Sequence, residues 1–383
     1  MKCGLAGDDA PELIPSIVGR PTVQGQDQKD IYVGNEDYAS QLYQNQGDGT
    51  FVDVAAAAGV ENRRYAKAVQ FADVDGDTWP DLYVSNYKGK NRLYKNLGDG
   101  TFTDIAEQAG VELPLLSFPA WFFDADNDGH LDLFVSSYVE EVAETAASYL
   151  GLPRQGEPSR LYKGDGAFGF VDRHKEAGLT DNVAAMGANF GDLDNDGWLD
   201  MYLGTGWPAY EALVPNVMYR NREGRFLDVS AAGGFGHLQK GHAVVFADFD
   251  RDGDQDVFEQ MGGAFKGDAF HDAYFENPGF GANWIAVRVE GVRSNRSGIG
   301  ARVTVYLEDT AHLADGGAPR TLVRFVGGGG SFGANPLEQH IGLGAAQRIA
   351  RLEVFWPTSS TTDVLVDVEA NQVLRVREGA HAR

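Results

Sequence analysis

The chain has 383 residues and a formal net charge of −24, from 56 acidic and 32 basic residues. Such an acidic chain argues against nucleic acid and anionic membrane surfaces as partners, and no segment reaches the ~18 apolar residues of a membrane-spanning helix. The single cysteine, Cys3, excludes an intrachain disulfide and a cysteine-based metal site. Residues 1–9 lack the apolar region of a signal peptide, which predicts a cytoplasmic protein or one whose leader has been removed.

The chain begins with a degenerate copy of a unit that then repeats. Residues 30–35 align with residues 81–86, but three positions that are acidic in the later copies are here Thr22, Gln24 and Gln26. We therefore expect no metal in this first unit. Its innermost strand could come from residues 13–19 or from the C-terminal part of the chain.

Four intact copies follow, each an aspartate-rich loop that leads directly into a strand. In every copy, carboxylates occupy loop positions 1, 3, 5 and 9, the oxygen-rich spacing that a hard cation needs when a tight turn wraps around it. The candidate metal ligands are Asp73, Asp75, Asp77, Asp81, Asp124, Asp126, Asp128, Asp132, Asp192, Asp194, Asp196, Asp200, Asp248, Asp250, Asp252 and Asp256. Carboxylates at this spacing repel one another unless a cation neutralises them. We expect about four calcium ions, which would bring the net charge to −16.

Other cation sites fit these loops less well. An EF-hand needs flanking helices and a bidentate Glu at position 12, which is here Val84, Val135, Leu203 or Glu259 in strand-like surroundings. Magnesium rarely takes a cage made only of protein carboxylates. A metal held between two strands is closed to substrate, so we expect a structural rather than a catalytic role.

A second motif accompanies each loop and completes the repeat. Residues 42–53 match residues 93–104 around a Gly-Asp-Gly-Thr turn, with weaker copies at 161–168, 218–226 and 274–277. Gly and Asp tolerate the positive φ of hairpin turns, so each unit of roughly 50 residues predicts a four-stranded antiparallel propeller blade. Five units are countable within residues 1–280, and an insertion at residues 140–158 predicts a short surface helix.

The composition changes after about Pro278, where strand-like segments without a helical period fill about 100 residues. We predict a small β-sandwich over residues 281–383, and therefore an all-β chain: a calcium-binding β-propeller of about five blades followed by this sandwich. The glycine run at residues 327–333 lacks the strand–turn–helix context and the Lys-Ser/Thr ending of a phosphate-binding loop. A flexible loop of the sandwich is the favoured interpretation.

These motifs resemble known repeats. The Asp loops with their Gly-Asp-Gly-Thr-Phe partners are similar to FG-GAP/VCBS repeats, which integrin α-subunit propellers also contain. The C-terminal segment resembles the ASPIC/UnbV domain through residues 283–284, 294–296, 299–303, 340–344 and 351–357. This resemblance implies kinship with the family of cartilage acidic protein and many bacterial secreted proteins, and hence an extracytoplasmic, secreted protein. The family usually has seven blades, whereas five are countable here.

The sequence leaves two functional hypotheses open. The favoured one is a non-enzymatic, rigid recognition or adhesion module for a protein or glycan partner. The alternative is a non-redox lyase, cyclase or hydrolase of secondary metabolism or carbohydrate, with a small molecule bound in the propeller channel. No catalytic set is recognisable, and the oligomeric state is open.

Two registers of the innermost strands could face the propeller channel. The residues three and six positions before each loop are Gln70, Trp121, Asn189 and Val245, and Lys67, Phe118, Met186 and His242. Of these, Lys67, Trp121, Asn189 and His242 are the candidate channel residues. Ordinary packing between blades is the favoured interpretation of both registers.

Overall fold

The computed structural model describes the backbone of residues 16–17 and all of residues 30–307, 320–327 and 332–381. The described chain is all-β, with seven sheets and four short helices. None of its helices is long and apolar enough to cross a membrane. Cys3 and the degenerate loop positions Thr22, Gln24 and Gln26 lie outside the described residues.

Four antiparallel meanders form the first four blades, each with its strands adjacent in chain order. Blade 1 contains β1 (Ser16–Ile17), β2 (Ile31–Gly34), β3 (Gln41–Asn45) and β4 (Phe51–Asp53). Blade 2 contains β5 (Tyr65–Ala72), β6 (Asp81–Tyr87), β7 (Arg92–Asn96) and β8 (Phe102–Asp104). Blade 3 contains β9 (Ser117–Phe123), β10 (Asp132–Ser137), β11 (Arg160–Gly164) and β12 (Phe170–Asp172). Blade 4 contains β13 (Ala185–Gly191), β14 (Asp200–Thr205), β15 (Val217–Arg222) and β16 (Arg225–Asp228).

Blade 5 has three described strands, β17 (Gly241–Ala247), β18 (Asp256–Met261) and β19 (Ala273–Phe275), and here the four-stranded prediction is wrong. After β19 the chain leaves the blade, and Asn277 makes the same kind of contacts there as Asn221 makes in the four-stranded blade 4. The Asn277 amide donates to the carbonyls of Leu193 (2.7 Å) and Gln255 (3.0 Å), which tie the connection to the loops of blades 4 and 5.

The blades pack side by side through the second strand of blade 1 and the first strands of blades 2 to 5. Buried tyrosines also contribute to this packing. Strand β2 contacts β5, β5 contacts β9, β9 contacts β13, and β13 contacts β17. The tyrosine hydroxyl on the second strand donates to a carbonyl of the segment that leads to the next blade, as in the 3.0 Å bond from Tyr83 to Val111. The Leu-Tyr-Val pattern of the repeat thus joins blades as well as filling them.

Short helices occupy the connections. Three of them, α1 (Ala55–Ala58), α2 (Ala106–Ala109) and α4 (Ser230–Gly233), follow the last strand of blades 1, 2 and 4. The longest, α3 (Val142–Tyr149), lies within the insertion in blade 3, which confirms the helix predicted there.

Two further sheets form a β-sandwich, here called the C-terminal sheet pair. One has the order β23 (Gln339–Gly344), β20 (Asn283–Glu290), β26 (Gln372–Arg377); the other has the order β22 (Thr321–Phe325), β21 (Arg302–Leu307), β24 (Arg348–Trp356), β25 (Thr361–Glu369). Both sheets contribute to one buried core that includes Ile285, Val303, Leu352 and Trp356. Strand β26 pairs with β20 in parallel, a pairing that the strand pattern did not predict.

Candidate metal centres

The aspartate loops connect the first and second strands of blades 2 to 5, at residues 73–81, 124–132, 192–200 and 248–256. Within each loop, three carboxylates have oxygens within 4.8 Å of one another. These are positions 1, 3 and 9 in blades 2 to 4 and positions 1, 3 and 5 in blade 5: Asp73, Asp75, Asp81, Asp124, Asp126, Asp132, Asp192, Asp194, Asp200, Asp248, Asp250 and Asp252. The structure therefore brings together twelve of the sixteen predicted ligands.

Position 1 closes the turn on itself. In blade 4 the Asp192 carboxylate accepts the backbone N–H of Gly197 at position 6 (2.8 Å), and Asp73 accepts that of Thr78 in blade 2 (3.0 Å). Position 6 has φ of 76° at Thr78 and 86° at Gly197. Glycine adopts this left-handed conformation without cost, but a β-branched threonine does not.

Position 9 has a structural role that the sequence did not reveal. Asp81, the first residue of β6, accepts the N–H of Val74 (3.1 Å) with one oxygen and that of Asn96 (2.9 Å) with the other. In the degenerate unit, Asp30 accepts the N–H of Asn45 (2.9 Å) in the same way. The signal was that position 9 is still Asp in this unit, although the other three acidic positions are not.

Position 5 lies outside the three-carboxylate cluster in blades 2 to 4. Its carboxylate caps the backbone N–H at position 7, as Asp77 does for Trp79 (2.8 Å) and Asp196 does for Trp198 (2.9 Å). The four predicted ligand positions are therefore not equivalent.

Buried carboxylate oxygens without a partner indicate where a cation fits. Among the described residues, the Oδ1 atoms without a hydrogen bond include those of Asp73, Asp126, Asp192, Asp194 and Asp248. A buried oxygen without a partner costs free energy, and one or two such oxygens in each turn, beside the other clustered carboxylates, match the all-oxygen ligand set that calcium prefers. The residues present thus fit a hard divalent cation.

The loop carboxyls have raised pKa values in the absence of a cation. Burial raises the pKa of Asp81 and of Asp132 to about 8, and that of Asp124 and of Asp192 to about 7. Nearby carboxylates of the same loop raise them further. A bound cation would reverse both effects because it favours the ionised form.

A basic residue on the third strand reaches the loop in three of the four blades. Lys95 pairs with Asp75 (2.6 Å), and Lys163 and Arg220 pair with the position 3 carboxylates of blades 3 and 4. The equivalent residue of blade 5 is Glu276. These counter-charges were missed, although the third residue of each Leu-Tyr-Lys-Asn copy could have indicated them.

The C-terminal sheet pair lies on the loop of blade 4. The Gly342 N–H donates to Asp192 (3.0 Å), and the Gly344 N–H donates to the Asn195 carbonyl (2.8 Å). His340 hydrogen-bonds through Nε2 to the Asn195 side chain (2.7 Å). Burial, followed by the charge of Arg324, lowers the pKa of His340 to about 4, so its imidazole is neutral and Nε2 donates.

Two arginines extend this contact: Arg324 in β22 and Arg320, the residue before this strand. Arg324 is 4 % exposed, and its Nη2 donates to the Gly197 carbonyl (3.1 Å), while the charge lies near Asp124 and Asp192 of two neighbouring loops. Arg320 donates to the Asp196 carbonyl and lies over the Trp198 ring. The C-terminal sheet pair therefore places two arginine side chains, of which Arg324 is buried, against the acidic loops.

The same loop joins its neighbours on both sides. At position 4, Asn127 donates to the Gly197 carbonyl (3.1 Å), and Asn195 donates to the Gly253 carbonyl (2.9 Å). Gly253 lies so close to Trp284 of β20 that a Cβ there would be 1.9 Å from the indole nitrogen. The loops of blades 3, 4 and 5 thus form one connected surface under the C-terminal sheet pair.

Residues 332–335, here called the channel segment, lie along the inner strands of three blades. Phe332 packs on Phe118 of β9, with ring centres 4.9 Å apart, and its carbonyl accepts the N–H of Val244 in β17 (3.1 Å). The Asn335 side chain accepts the N–H of Phe246 (2.9 Å) and donates to the Phe190 carbonyl of β13 (2.6 Å).

The candidate channel residues have structural partners. Lys67 pairs with Glu36 and lies over the Phe118 ring, and Trp121 is fully buried against Phe134. Asn189 donates to the Val244 carbonyl (2.9 Å), and His242 hydrogen-bonds to the Gly262 carbonyl (2.6 Å). These contacts favour the packing interpretation, and a catalytic role remains a prediction without support.

Comparisons with known proteins agree with the repeats. Residues 25–84 and 73–135 match the model of the FG-GAP-like repeat, and residues 291–383 match that of ASPIC and UnbV. Cartilage acidic protein 1 is 29% identical over 231 residues in Homo sapiens and 28% identical over 225 residues in Xenopus tropicalis. Each match covers 56% of this chain and 32% of the relative, so the matched region is about a third of those proteins.

Solved structures are similar only at a low level. Sqt1 of Saccharomyces cerevisiae covers 93% of this chain, with 86% of its own length, at a TM-score of 0.39 and 9% identity. A mutant of AofleA from Arthrobotrys oligospora covers 90%, with 84% of its own length, at 0.35 and 12%. Similarities at this level give no information about the function of this chain.

Proposed function

We propose that this chain, which contains FG-GAP-like repeats and an ASPIC/UnbV domain, is an extracellular calcium-binding β-propeller module that presents a rigid surface to a protein or glycan. One observation carries the calcium: among the described residues, each of the four loops has a buried carboxylate oxygen without a hydrogen bond at position 1 or 3, and Asp192 provides the most buried example. Calcium in these loops is structural. It holds the first two strands of each blade together, and three of the loops lie beneath the C-terminal sheet pair.

The proposed recognition surface lies at the opposite end of the blades. Tyr210 and Phe265 are in the loops after the second strands of blades 4 and 5, whereas the metal loops precede those strands. Their rings stack at 5.4 Å and are 57 % and 50 % exposed. Leu213 and Phe270 add exposed apolar area nearby in sequence. Exposed apolar clusters of this kind mark interaction sites, and stacked rings suit a sugar face or an apolar side chain.

The enzymatic alternative has less support. Its pocket was placed in the propeller channel, where residues 332–335 contact the inner strands of blades 3, 4 and 5. An extracellular location is favoured by the resemblance to cartilage acidic protein 1.

A calcium titration followed by thermal melting, with bound ions counted by native mass spectrometry, tests the metal. We expect about four ions per chain and a stabilisation of about 2.7 kcal/mol per site when free calcium is 100-fold above the dissociation constant. A chelator should reverse the shift. A chain that binds no calcium and melts unchanged would refute the proposal.

A glycan array and an extracellular protein array test the surface. We expect the double variant Tyr210→Ser, Phe265→Ser to lose the partner that the unmodified chain binds. Leu97→Ser, an equally exposed residue in the hairpin turn of blade 2, is the control and should keep it. Equal binding by all three proteins would rule out this surface.

A further inference from the structure

The C-terminal sheet pair contacts the propeller at two places that belong to one connection. Strand β22 carries Arg324, and β23 carries His340 and Gly342, all of which contact the loop of blade 4. The channel segment, residues 332–335, lies between these two strands in the chain. The two strands that hold the loop therefore also position the segment in the channel.

We propose that a cation in the aspartate loop of blade 4 locks the C-terminal sheet pair onto the propeller and so keeps residues 332–335 in the channel. This inference rests on the calcium binding proposed above and gives one loop a regulatory role beyond blade stability.

The backbone of the loop provides the first link. Positions 4 to 6, the turn that wraps around the cation, accept hydrogen bonds from the C-terminal sheet pair. The Asn195 carbonyl accepts from Gly344, and the Gly197 carbonyl accepts from Arg324. Because the cation fixes this turn, it also fixes the direction of these acceptors.

The carboxylate of Asp192 provides the second link. Its Oδ1 has no partner among the described residues and is free for a cation, while its Oδ2 accepts the N–H of Gly342. Gly342 must be glycine here, because a Cβ would lie 2.3 Å from that oxygen. One side chain thus connects the cation to the backbone of β23.

Loss of the cation would leave the blade 4 loop carboxylates at this interface with less positive charge to neutralise them. Arg324 is wholly buried beside Asp124 and Asp192, and burying charges is favourable only while geometry and hydrogen bonds are well made. Once the turn relaxes, the sheet pair loses its acceptors. Release would then withdraw Phe332 from Phe118 and expose the backbone N–H groups of Val244 and Phe246 to solvent.

Hydrogen–deuterium exchange of the full chain measures this release. The reporters are a peptide over residues 241–247, which contains the Val244 and Phe246 amides bonded to the channel segment, and a peptide over residues 339–346, which contains the Gly342 and Gly344 amides bonded to the blade 4 loop. The variants are Asp194→Asn in blade 4 and Asp75→Asn in blade 2, both at loop position 3. No hydrogen bond or ion pair between described residues joins the blade 2 loop carboxylates to the C-terminal sheet pair, which makes Asp75→Asn the matched control.

We expect Asp194→Asn in saturating calcium, and the unmodified chain in chelator, to exchange at these amides at least about tenfold faster than the calcium-loaded chain. Asp75→Asn should bind one ion fewer and keep the protection. Arg324→Met, which leaves every calcium ligand in place, should lose the protection with all ions bound.

Three results would overturn the lock. Asp194→Asn could bind one ion fewer and stay protected, which leaves calcium binding intact but removes the coupling. Asp75→Asn could lose protection equally, which would mean general loosening. An unmodified chain that binds no calcium would refute both the lock and the proposed function. Even if a variant fails to fold, unchanged protection of these amides in the unmodified chain after chelation would refute the lock.

Discussion

The aspartate loops of blades 2 and 4 have the same sequence skeleton and different surroundings. In blade 2, Asp75 and Asp77 are partly exposed, and Lys95 is the nearest counter-charge. In blade 4, Asp192 and Asn195 are fully buried beneath the C-terminal sheet pair. The repeat therefore determines the geometry of the carboxylate cluster, whereas the neighbours decide what a bound cation would stabilise. Four predictions test this difference.

The largest expected effect comes from removing the first ligand. Asp192→Asn should destabilise the chain by about 3–5 kcal/mol in calcium, because it leaves Arg324 buried beside one carboxylate fewer. Asp73→Asn, the same change in blade 2, should cost about 1–3 kcal/mol. Urea unfolding of both variants measures the difference, and equal losses would show that burial under the C-terminal sheet pair adds nothing.

The second effect is on pH dependence. Burial raises the pKa of Asp81 and Asp132 to about 8 without metal, so calcium must displace protons from these carboxyls at pH 7. The calcium affinity should therefore fall about tenfold for each unit by which the pH is lowered, for each proton displaced. In chelator, the contribution of these groups to stability is fully present below the ordinary pKa of about 3.9 and is lost as the pH rises through about 8.

Calorimetry in buffers of different ionisation enthalpy counts the displaced protons between pH 6 and pH 8. Proton release that is zero at pH 6, together with an affinity that is independent of pH, would contradict the raised pKa values.

The third effect concerns the counter-charges on the third strand. Lys163→Gln should strengthen calcium binding in blade 3 about three- to tenfold, because the lysine pairs with Asp126, one of the clustered carboxylates that a cation also needs. Glu276→Lys should weaken binding in blade 5 by a similar factor. Calorimetric titration measures both, with Lys266→Gln as a control outside these loops. Weaker calcium binding by Lys163→Gln and stronger calcium binding by Glu276→Lys would contradict this prediction. Such a result would mean that a basic residue on the third strand stabilises the calcium-bound loop.

The smallest effect is at loop position 6. Thr78→Gly should stabilise the chain by about 0.5–1 kcal/mol, because it removes a β-branched residue from a left-handed conformation. The reverse change, Gly197→Thr in blade 4, should be destabilising. A Cβ there would also lie 3.0 Å from the Gly342 carbonyl oxygen. Thermal melting compares the two, and equal and opposite shifts would indicate that only backbone strain differs.

Local patterns predicted much of this molecule. The repeated strand-like segments such as residues 81–86, and the Gly-Asp-Gly turns, were sufficient for the antiparallel meanders because both act between neighbours in the chain. The spacing of Asp192 and Asp194 was sufficient for the carboxylate cluster for the same reason. Blade 5 was predicted wrongly, since it has three described strands where the repeat predicted four.

The sequence by itself determined the all-β composition, the blade repeat and the spacing of the loop carboxylates, since each follows from periodicity and turn chemistry within a few residues. Only the tertiary structure decided which loop is buried, that Arg324 lies beside Asp124 and Asp192, and that residues 332–335 occupy the channel. These contacts join residues that are far apart in the chain, and their formation depends on how whole sheets pack, which no local pattern encodes.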